Sequence, residues 1–211
     1  MRLKEYDVDP DDVAVGAVAA SQTPAGAENL TLTSTTVTLD YARQLGITSA
    51  SNISNRTLTF TGTDADGYSQ TETVTGPNAT TVETTKYFKT ITQIAISGAA
   101  AGALTVDTVD EVATQTIPLD WRSDVAAAIN VDVTGTIDFT VQQTFDDVQR
   151  PGSSPQSATQ NSQWLNITAL AAKTADTTST ASVGATAIRL LVNSYSSTAE
   201  LQMNVVQTTS R

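Results

Sequence analysis

Asp64 and Asp66 are separated by one residue and followed by Gly67, in the stretch DADG, and this spacing is typical of calcium-binding loops. The twelve-residue loop of that class needs oxygen ligands at its first, third, fifth and last positions and glycine at its sixth. If Gly67 takes the sixth position, Gly62 takes the first and Thr73 the last, so both of those ligands are lost. If the loop starts at Asp64 instead, a serine stands where the glycine is needed.

The same residues fit the turn of a β-hairpin. Alternating Thr and apolar residues precede them in TLTFTGT, and a similar alternation follows in YSQTETVTG. Asp-Gly supplies the positive φ angle that a tight hairpin needs. We therefore predict that Asp64, Asp66 and Gly67 form a hairpin turn and that the chain holds neither a metal nor a cofactor.

Asp146 and Asp147, in TFDDV, are adjacent carboxylates, and glycoside hydrolysis uses two carboxylates. Neighbouring residues of a strand point to opposite faces, so these two do not face one substrate. The sequence contains no His and no Cys, which removes the commonest general base, thiol nucleophiles and Cys/His zinc sites. We expect a protein that is not an enzyme, with no catalytic residues, and a carboxylate-dependent hydrolase is the third-ranked alternative.

The balance of charge bears on the partners. The chain has 11 Lys and Arg against 22 Asp and Glu, a net charge of -11, which repels a phosphate backbone. The apolar run VAVGAVAA follows an acidic stretch and is far shorter than the about 20 residues that cross a bilayer. We expect no nucleic-acid partner, no membrane association and synthesis in the cytoplasm.

Trp121 and Trp164 lie beside the ends of predicted strands. An aromatic side chain that is partly exposed at such a place contacts a protein partner or lines a sugar-binding groove. The two residues are therefore our candidate partner contacts. The alternative is that both are large pieces of two thin cores.

Short runs of alternating apolar and polar residues, separated by turn signals about every 8 to 12 residues, predict a sandwich rather than a parallel sheet. We predict an all-β protein with two β-sandwich-like domains and an extended N-terminal arm. The arm or linker covers 1–27, where no period is sustained. The first β domain covers 28–110 and the second β-sandwich domain covers 111–211.

The strand pattern also predicts local features. In KYFKTITQIAIS the parity of the isoleucines changes, so a β-bulge is expected near Thr92 or Gln93. The alternating stretches IRLLV and LQMNV are joined by SYSST and predict a hairpin. Gln149–Gln163, rich in Pro, Gly and Ser, predicts a surface loop.

Three stretches carry a family resemblance. TFTGTDADGYSQTETVTGPNATTVETTKYFKTITQIAISG resembles a pattern of uncharacterised structural proteins of tailed bacteriophages. GTIDFTVQQTFDDV, then Trp164, then ATAIRLLVNSYSSTAELQMNVVQ resemble a C-terminal β module of the same viral proteins. The resemblance covers most of residues 28–208. It implies a capsid decoration, cement or neck-associated β-sandwich protein without catalytic residues.

We therefore expect a non-enzymatic virion protein that decorates or cements the outside of the head. Its expected partners are the major capsid protein or other virion proteins, and we expect a homo-oligomer, a trimer or a higher ring. A negative chain avoids surfaces that touch packaged DNA, which favours the outside of the particle. A head-to-tail connector or tail component is the nearest alternative. A carbohydrate-binding or adhesin module is the alternative of another class.

Overall fold

The computed structural model describes residues 2–120, 122, 124–148 and 162–207. Within this part of the chain strand follows strand, and the only helical element is a single 3-10 turn at Thr168–Leu170. The all-β class predicted from the alternation is confirmed.

In chain order the strands of the described residues are β1 (Arg2–Val8), β2 (Ala19–Gln22), β3 (Ala27–Asn29), β4 (Val37–Ser49), β5 (Thr57–Thr63), β6 (Ser69–Thr75), β7 (Thr81–Glu83), β8 (Phe88–Ser97), β9 (Leu104–Ala113), β10 (Ile117–Pro118), β11 (Ala128–Thr134), β12 (Ile137–Thr144), β13 (Leu165–Asn166), β14 (Thr177–Thr180), β15 (Ala187–Tyr195) and β16 (Glu200–Gln207).

The chain forms two compact units and passes through one of them twice. Met1–Asp11 and Ala113–Arg211 make up one unit, which we call the split unit. Asp12–Val112 makes up the other, which we call the insert unit. This division differs from the three consecutive segments expected from the sequence, because the N-terminal residues belong with the second half of the chain.

The N-terminal segment is not an extended arm. Strand β1 pairs antiparallel with β16, with Tyr6 opposite Met203 and Val8 opposite Leu201. Val8 is 1% exposed, so the strand helps to cover a core. The expectation of an arm over 1–27 is therefore wrong for these residues. Acidic residues alternate with the inward-facing ones here, as in any strand with one solvated face, and they obscured the period.

Two antiparallel sheets make up the split unit. One has the strand order β1-β16-β11-β14, and the other joins β13, β12 and β15, with β10 also paired to β15. Strands β15 and β16 are consecutive, yet they lie in different sheets. The expected hairpin between them is therefore wrong. The chain turns at Ser196–Ala199, where the Ala199 amide donates to the Ser196 carbonyl, and crosses to the other sheet.

In the insert unit, one sheet has the order β9-β4-β8-β5-β6, and the short strands β2, β3 and β7 pair with β9, β8 and β4. The alternate apolar residues of these strands point inward and form one core. Phe60 and Phe88 are fully buried in it, with ring centroids 6.1 Å apart. Burial of these side chains is the main source of stability for the unit.

Side chains of the edge strand β6 bind the backbone that leads into β8. The Gln70 amide nitrogen Nε2 donates to the Tyr87 carbonyl at 2.5 Å. The Glu72 carboxylate accepts from the backbone nitrogens of Thr85 and Lys86, at 2.8 Å and 2.9 Å. β6 is an edge strand, and an edge strand can pair with other chains. These contacts place side chains and backbone of the same unit beside that edge.

A bulge interrupts the pairing of β5 with β8. As β5 advances from Thr61 to Gly62, its partner on β8 passes from Gln93 to Ile91. Thr92 is therefore the extra residue, and the bulge predicted near Thr92 or Gln93 is confirmed. Because of the bulge, an odd-numbered isoleucine before it and even-numbered isoleucines after it can all point inward from one long strand.

Candidate functional site

The DADG segment joins β5 to β6 as a tight turn. The Asp64 amide donates to the Tyr68 carbonyl at 2.9 Å, and the Gly67 amide donates to the Asp64 carbonyl at 3.1 Å. The Asp64 carboxylate atom Oδ1 accepts from the backbone nitrogens of Asp66, at 3.0 Å, and Tyr68, at 2.8 Å. Gly67 has a φ of 84°, which glycine adopts without steric cost. The turn backbone therefore uses one oxygen of the first aspartate.

The adjacent carboxylates after β12 also bind backbone. The Asp146 carboxylate accepts from the Gln163 amide at 2.5 Å, and the Asp146 amide donates to the Thr144 hydroxyl at 3.1 Å. Asp146 thus joins the two ends of the segment that was predicted as a surface loop, of which residues 149–161 lie outside the described residues. Among the described residues, no three acidic side chains are arranged to hold a metal ion.

The structure describes one of the two candidate tryptophans. Trp121 lies outside the described residues. Trp164 is half-buried and directly precedes β13. The described candidate site is therefore built around Trp164.

Three neighbouring strands place polar side chains beside Trp164. Gln142 on β12 lies opposite Asn166 on β13 and opposite Arg189 on β15, so the three share one face of the sheet. Arg189 donates through Nε to the Gln142 side-chain oxygen at 2.8 Å. Gln142 donates through Nε2 to the Asn166 side-chain oxygen, also at 2.8 Å. Each planar group is thereby held in a fixed orientation.

Trp164 completes this group, because it stands two residues before Asn166 and so falls on the same face. The guanidinium carbon of Arg189 lies 4.4 Å from the centre of the indole ring, which is a cation–π contact. The indole Nε1 is buried, and no residue that the structure describes accepts a hydrogen bond from it. An unsatisfied buried donor costs free energy, so an acceptor that reached it would bind with a gain. We call these four residues, Trp164, Asn166, Gln142 and Arg189, the tryptophan row.

The tryptophan row presents a fixed aromatic ring beside amide and guanidinium groups, which is suited to binding rather than to reaction. Leu165, next to it in the chain, is 42% exposed, and Phe145 is 48% exposed. Sequence reasoning identified Trp164 but not its three partners. Only the register of β12 against β13 and β15 brings them together, and no short-range signal in the sequence encodes that register.

A second surface lies on the solvated face of the four-stranded sheet. Glu5, Asp7, Asp132 and Glu200 fall on this face by strand parity. The Gln202 side-chain nitrogen donates to Glu5 at 3.0 Å and to Asp7 at 3.1 Å. The face therefore concentrates part of the negative charge of the chain at fixed positions.

Glu111 on β9 is half-buried, and the pKa of its carboxyl is raised. The main cause is burial, which disfavours the charged form, and the nearby charges of Glu83 and Asp110 add to the effect. This shift reports the packing of the insert unit.

No family model matches the chain, and no curated protein matches it. Among solved structures, the chain is similar to the crystal structure of the major capsid protein P2 from Bacteriophage PM2, with 13% identity and a TM-score of 0.20. That match covers 100% of this chain and 99% of the other. A TM-score this low does not establish a shared fold. In the described part of the chain, no helix is long and apolar enough to span a bilayer.

Proposed function

We propose that this chain is a non-enzymatic structural protein of a tailed-bacteriophage virion, and that it decorates or cements the outside of the head. The resemblance of 59–98, 135–148 and 185–207 to phage structural proteins carries the proposal. These segments supply β5 to β8, β12, and β15 with β16. What resembles the phage proteins is thus the framework of both units.

The way acidic side chains are used supports a structural role. Asp64 binds the amides of its own turn, Asp146 joins the ends of a long segment, and Glu72 fixes the backbone before β8. Each of these carboxylates holds a connection in place, and hydrogen bonds to charged groups are among the stronger ones in proteins. A shell component needs such rigid connections more than it needs a reactive centre.

The distribution of charge supports the outer position. The solvated face with Glu5, Asp7, Asp132 and Glu200 would repel packaged DNA at short range. Contact with the outside of a protein shell avoids that repulsion. The major capsid protein is accordingly the partner we propose, with copies of the chain repeating by the symmetry of the head as a trimer or higher ring.

Particle composition tests this function. Purified virions should contain the chain in many copies, in proportion to the capsid protein, and heads made without it should rebind the purified chain on their outer surface. About a dozen copies or fewer would favour a connector or tail component instead. Absence from virions would refute both placements.

The tryptophan row favours a second candidate function, that of a carbohydrate-binding or adhesin module. An aromatic ring packs against the apolar face of a sugar, and the neighbouring amide groups can bind its hydroxyls. Glycan-array binding by the purified chain, with Trp164→Ala and Trp121→Ala as variants, tests it. Sugar binding that disappears in a variant, together with no binding to heads, would replace the structural proposal. Head binding without sugar binding would eliminate the module.

A further inference from the structure

Strand β1 is held in its unit by pairing with β16 and not by its neighbours along the chain. Between β1 and the rest of the split unit, the chain runs through the whole insert unit, Asp12–Val112. The position beside β16 is therefore filled by a strand that the whole insert unit separates, along the chain, from the rest of its own unit.

That position has to be filled for the split unit to keep its core closed. Lys4, Tyr6 and Val8 alternate along one face of β1, opposite residues of β16 that are at most 3% exposed. Without β1, Met203 and Val205 would lose their neighbours on one side, and the backbone groups of β16 along that edge would lose their partners. Any filling strand has to offer the same pattern, so a second copy of β1 fits.

The polar contacts of β1 can be transferred to another copy in the same way. Gln202, on β16, donates to both Glu5 and Asp7 on β1. These bonds and the backbone ladder depend only on β16 and β1, so a β1 supplied by a second chain would make all of them. Exchange of an identical element changes the connection and keeps the contacts.

The connection itself is suited to exchange. Residues 9–14 form no regular structure, and Pro10 biases Asp9 toward an extended conformation. The Asp11 carbonyl accepts a hydrogen bond from the Tyr195 hydroxyl, which holds the connection in the form where β1 returns to its own chain. The Ala14 amide adds a second restraint by donating to the Thr108 hydroxyl at 3.2 Å. Both forms keep the β1–β16 ladder and differ only at this short connection, so the local concentration of chains contributes to the balance between them.

We propose that β1 exchanges between copies, so that β1 of one chain pairs with β16 of a neighbour and links the copies into an oligomer. The exchange does not depend on the proposed position in the virion. A chain that binds heads without exchanging β1 would refute this proposal and leave the function standing. A chain that exchanges β1 but is absent from virions would refute the proposed function and leave the exchange standing.

Cysteine pairing provides the test, since the natural chain has no Cys. Leu3 and Val206 lie opposite each other across the β1–β16 ladder. One full-length chain carries Leu3→Cys and a second carries Val206→Cys, and the two are mixed, unfolded, refolded together at several concentrations and oxidised. Exchange predicts a disulfide between the two chains on a non-reducing gel, and its yield should rise several-fold with concentration.

A matched pair inside the sheet controls for chance collisions. Asn130 and Asn204 lie opposite each other on β11 and β16, which are both in the body of the split unit. Chains with Asn130→Cys and Asn204→Cys should not link to each other, whereas a single chain with both changes should close a disulfide within itself. Equal linking of the two mixed pairs, or no linking of the β1 pair at any concentration, would overturn the exchange.

The length of the connection gives an independent measurement. A flexible Gly-Ser insertion between Pro10 and Asp11 relaxes the return of β1 to its own chain, and such lengthening disfavours swapping. The dimer fraction in size-exclusion chromatography should fall several-fold, and Tyr195→Phe should raise it. An unchanged dimer fraction in both variants would show that the copies associate in another way.

Discussion

Arg43 and Asp40 form a two-point ion pair inside the insert unit. Arg43 donates through Nε to Asp40 Oδ1 at 2.7 Å and through Nη2 to Oδ2 at 2.5 Å, and its side chain is 1% exposed. The same guanidinium donates through Nη1 to the Val109 carbonyl on β9 at 3.2 Å. Residues three apart on a regular strand point to opposite faces. Here the pairing of β4 with β8 is irregular between Thr38 and Arg43, which lets the two charges meet.

Removal of the carboxylate should cost more than removal of the whole pair. Asp40→Ala leaves a buried guanidinium without its counter-charge, and we expect a loss of about 3 to 5 kcal/mol of unfolding free energy. The double variant Asp40→Ala with Arg43→Met leaves no buried charge, so its loss should be smaller. Urea unfolding followed by circular dichroism measures both. A double variant less stable than Asp40→Ala alone would contradict the argument.

Glycines in the insert unit should differ sharply in their tolerance of a methyl group. A Cβ atom on Gly62 would lie 1.9 Å from the Thr90 carbonyl oxygen, a backbone atom that cannot move away alone. Gly62→Ala should therefore cost about 3 kcal/mol or more. Gly67 has open space but a φ of 84°, so Gly67→Ala should cost about 1 kcal/mol.

Gly26 serves as the control for this series. Nothing lies within 4 Å of its Cβ position, and its φ is not in the left-handed region. Gly26→Ala should leave the thermal midpoint within the error of wild type or raise it slightly. If Gly62→Ala did not have the lowest of the three midpoints, the β5–β8 bulge would not be packed as described.

The class of the fold was predictable because alternation depends on one residue and its immediate neighbours. The bulge at Thr92 followed from the same rule, since a change of parity is visible along a single strand. Strand partners were not predictable in this way. IRLLV and LQMNV both alternate, but the pattern states only which side is buried and does not state that β15 and β16 join different sheets.

Buried polar residues account for other features of the structure that the sequence did not predict. Arg43 lies at a core position of β4, where a charged residue interrupts the apolar period of the strand. Asp40 compensates the charge of Arg43, and the two meet only because the pairing of β4 with β8 is irregular between Thr38 and Arg43. For the candidate site, Trp164 was identified as an aromatic residue beside a predicted strand end, whereas Gln142 and Arg189 are residue types found on any solvated face.

Glu111 should make the insert unit less stable as the pH rises. Its pKa is raised in the folded state, chiefly by burial, so between the usual and the raised value the folded chain binds more protons than the unfolded chain. The stability contribution of this group is therefore highest below the usual pKa, falls through that window and is level above it. Glu111→Gln removes the charge, and its stability relative to wild type should increase with pH.

Urea unfolding of both proteins at intervals between about pH 3.5 and 8 measures this difference, starting below the usual Glu pKa. Glu28→Gln is the control, because Glu28 is exposed and shows no such burial. A difference between Glu111→Gln and wild type that is constant across the range would mean that the carboxyl titrates alike in both states.

The DADG turn should be insensitive to metal removal. Asp64 Oδ1 is occupied by two backbone amides, and an asparagine oxygen can accept the same bonds. Asp64→Asn should therefore unfold close to wild type, whereas Asp64→Ala should lose about 1 kcal/mol. EDTA should shift neither the thermal midpoint nor rebinding to heads. A midpoint that falls with EDTA and recovers with calcium would restore the metal-site interpretation.

Trp164 separates packing from partner contact when a partial and a full truncation of its side chain are compared. Trp164→Phe keeps an aromatic ring against Arg189 and removes the Nε1 donor together with part of the indole, and no described residue accepts a hydrogen bond from Nε1. Trp164→Phe should therefore lose less stability than Trp164→Ala, which also removes the cation–π contact and should lose about 1 to 3 kcal/mol. If a partner supplies the acceptor for Nε1, Trp164→Phe should weaken binding to heads or glycans about tenfold, which corresponds to one hydrogen bond. Leu165→Ala, next in the chain and on the opposite face, controls for local disturbance. Binding that follows the unfolding free energy in all three variants would show that the tryptophan row serves packing alone.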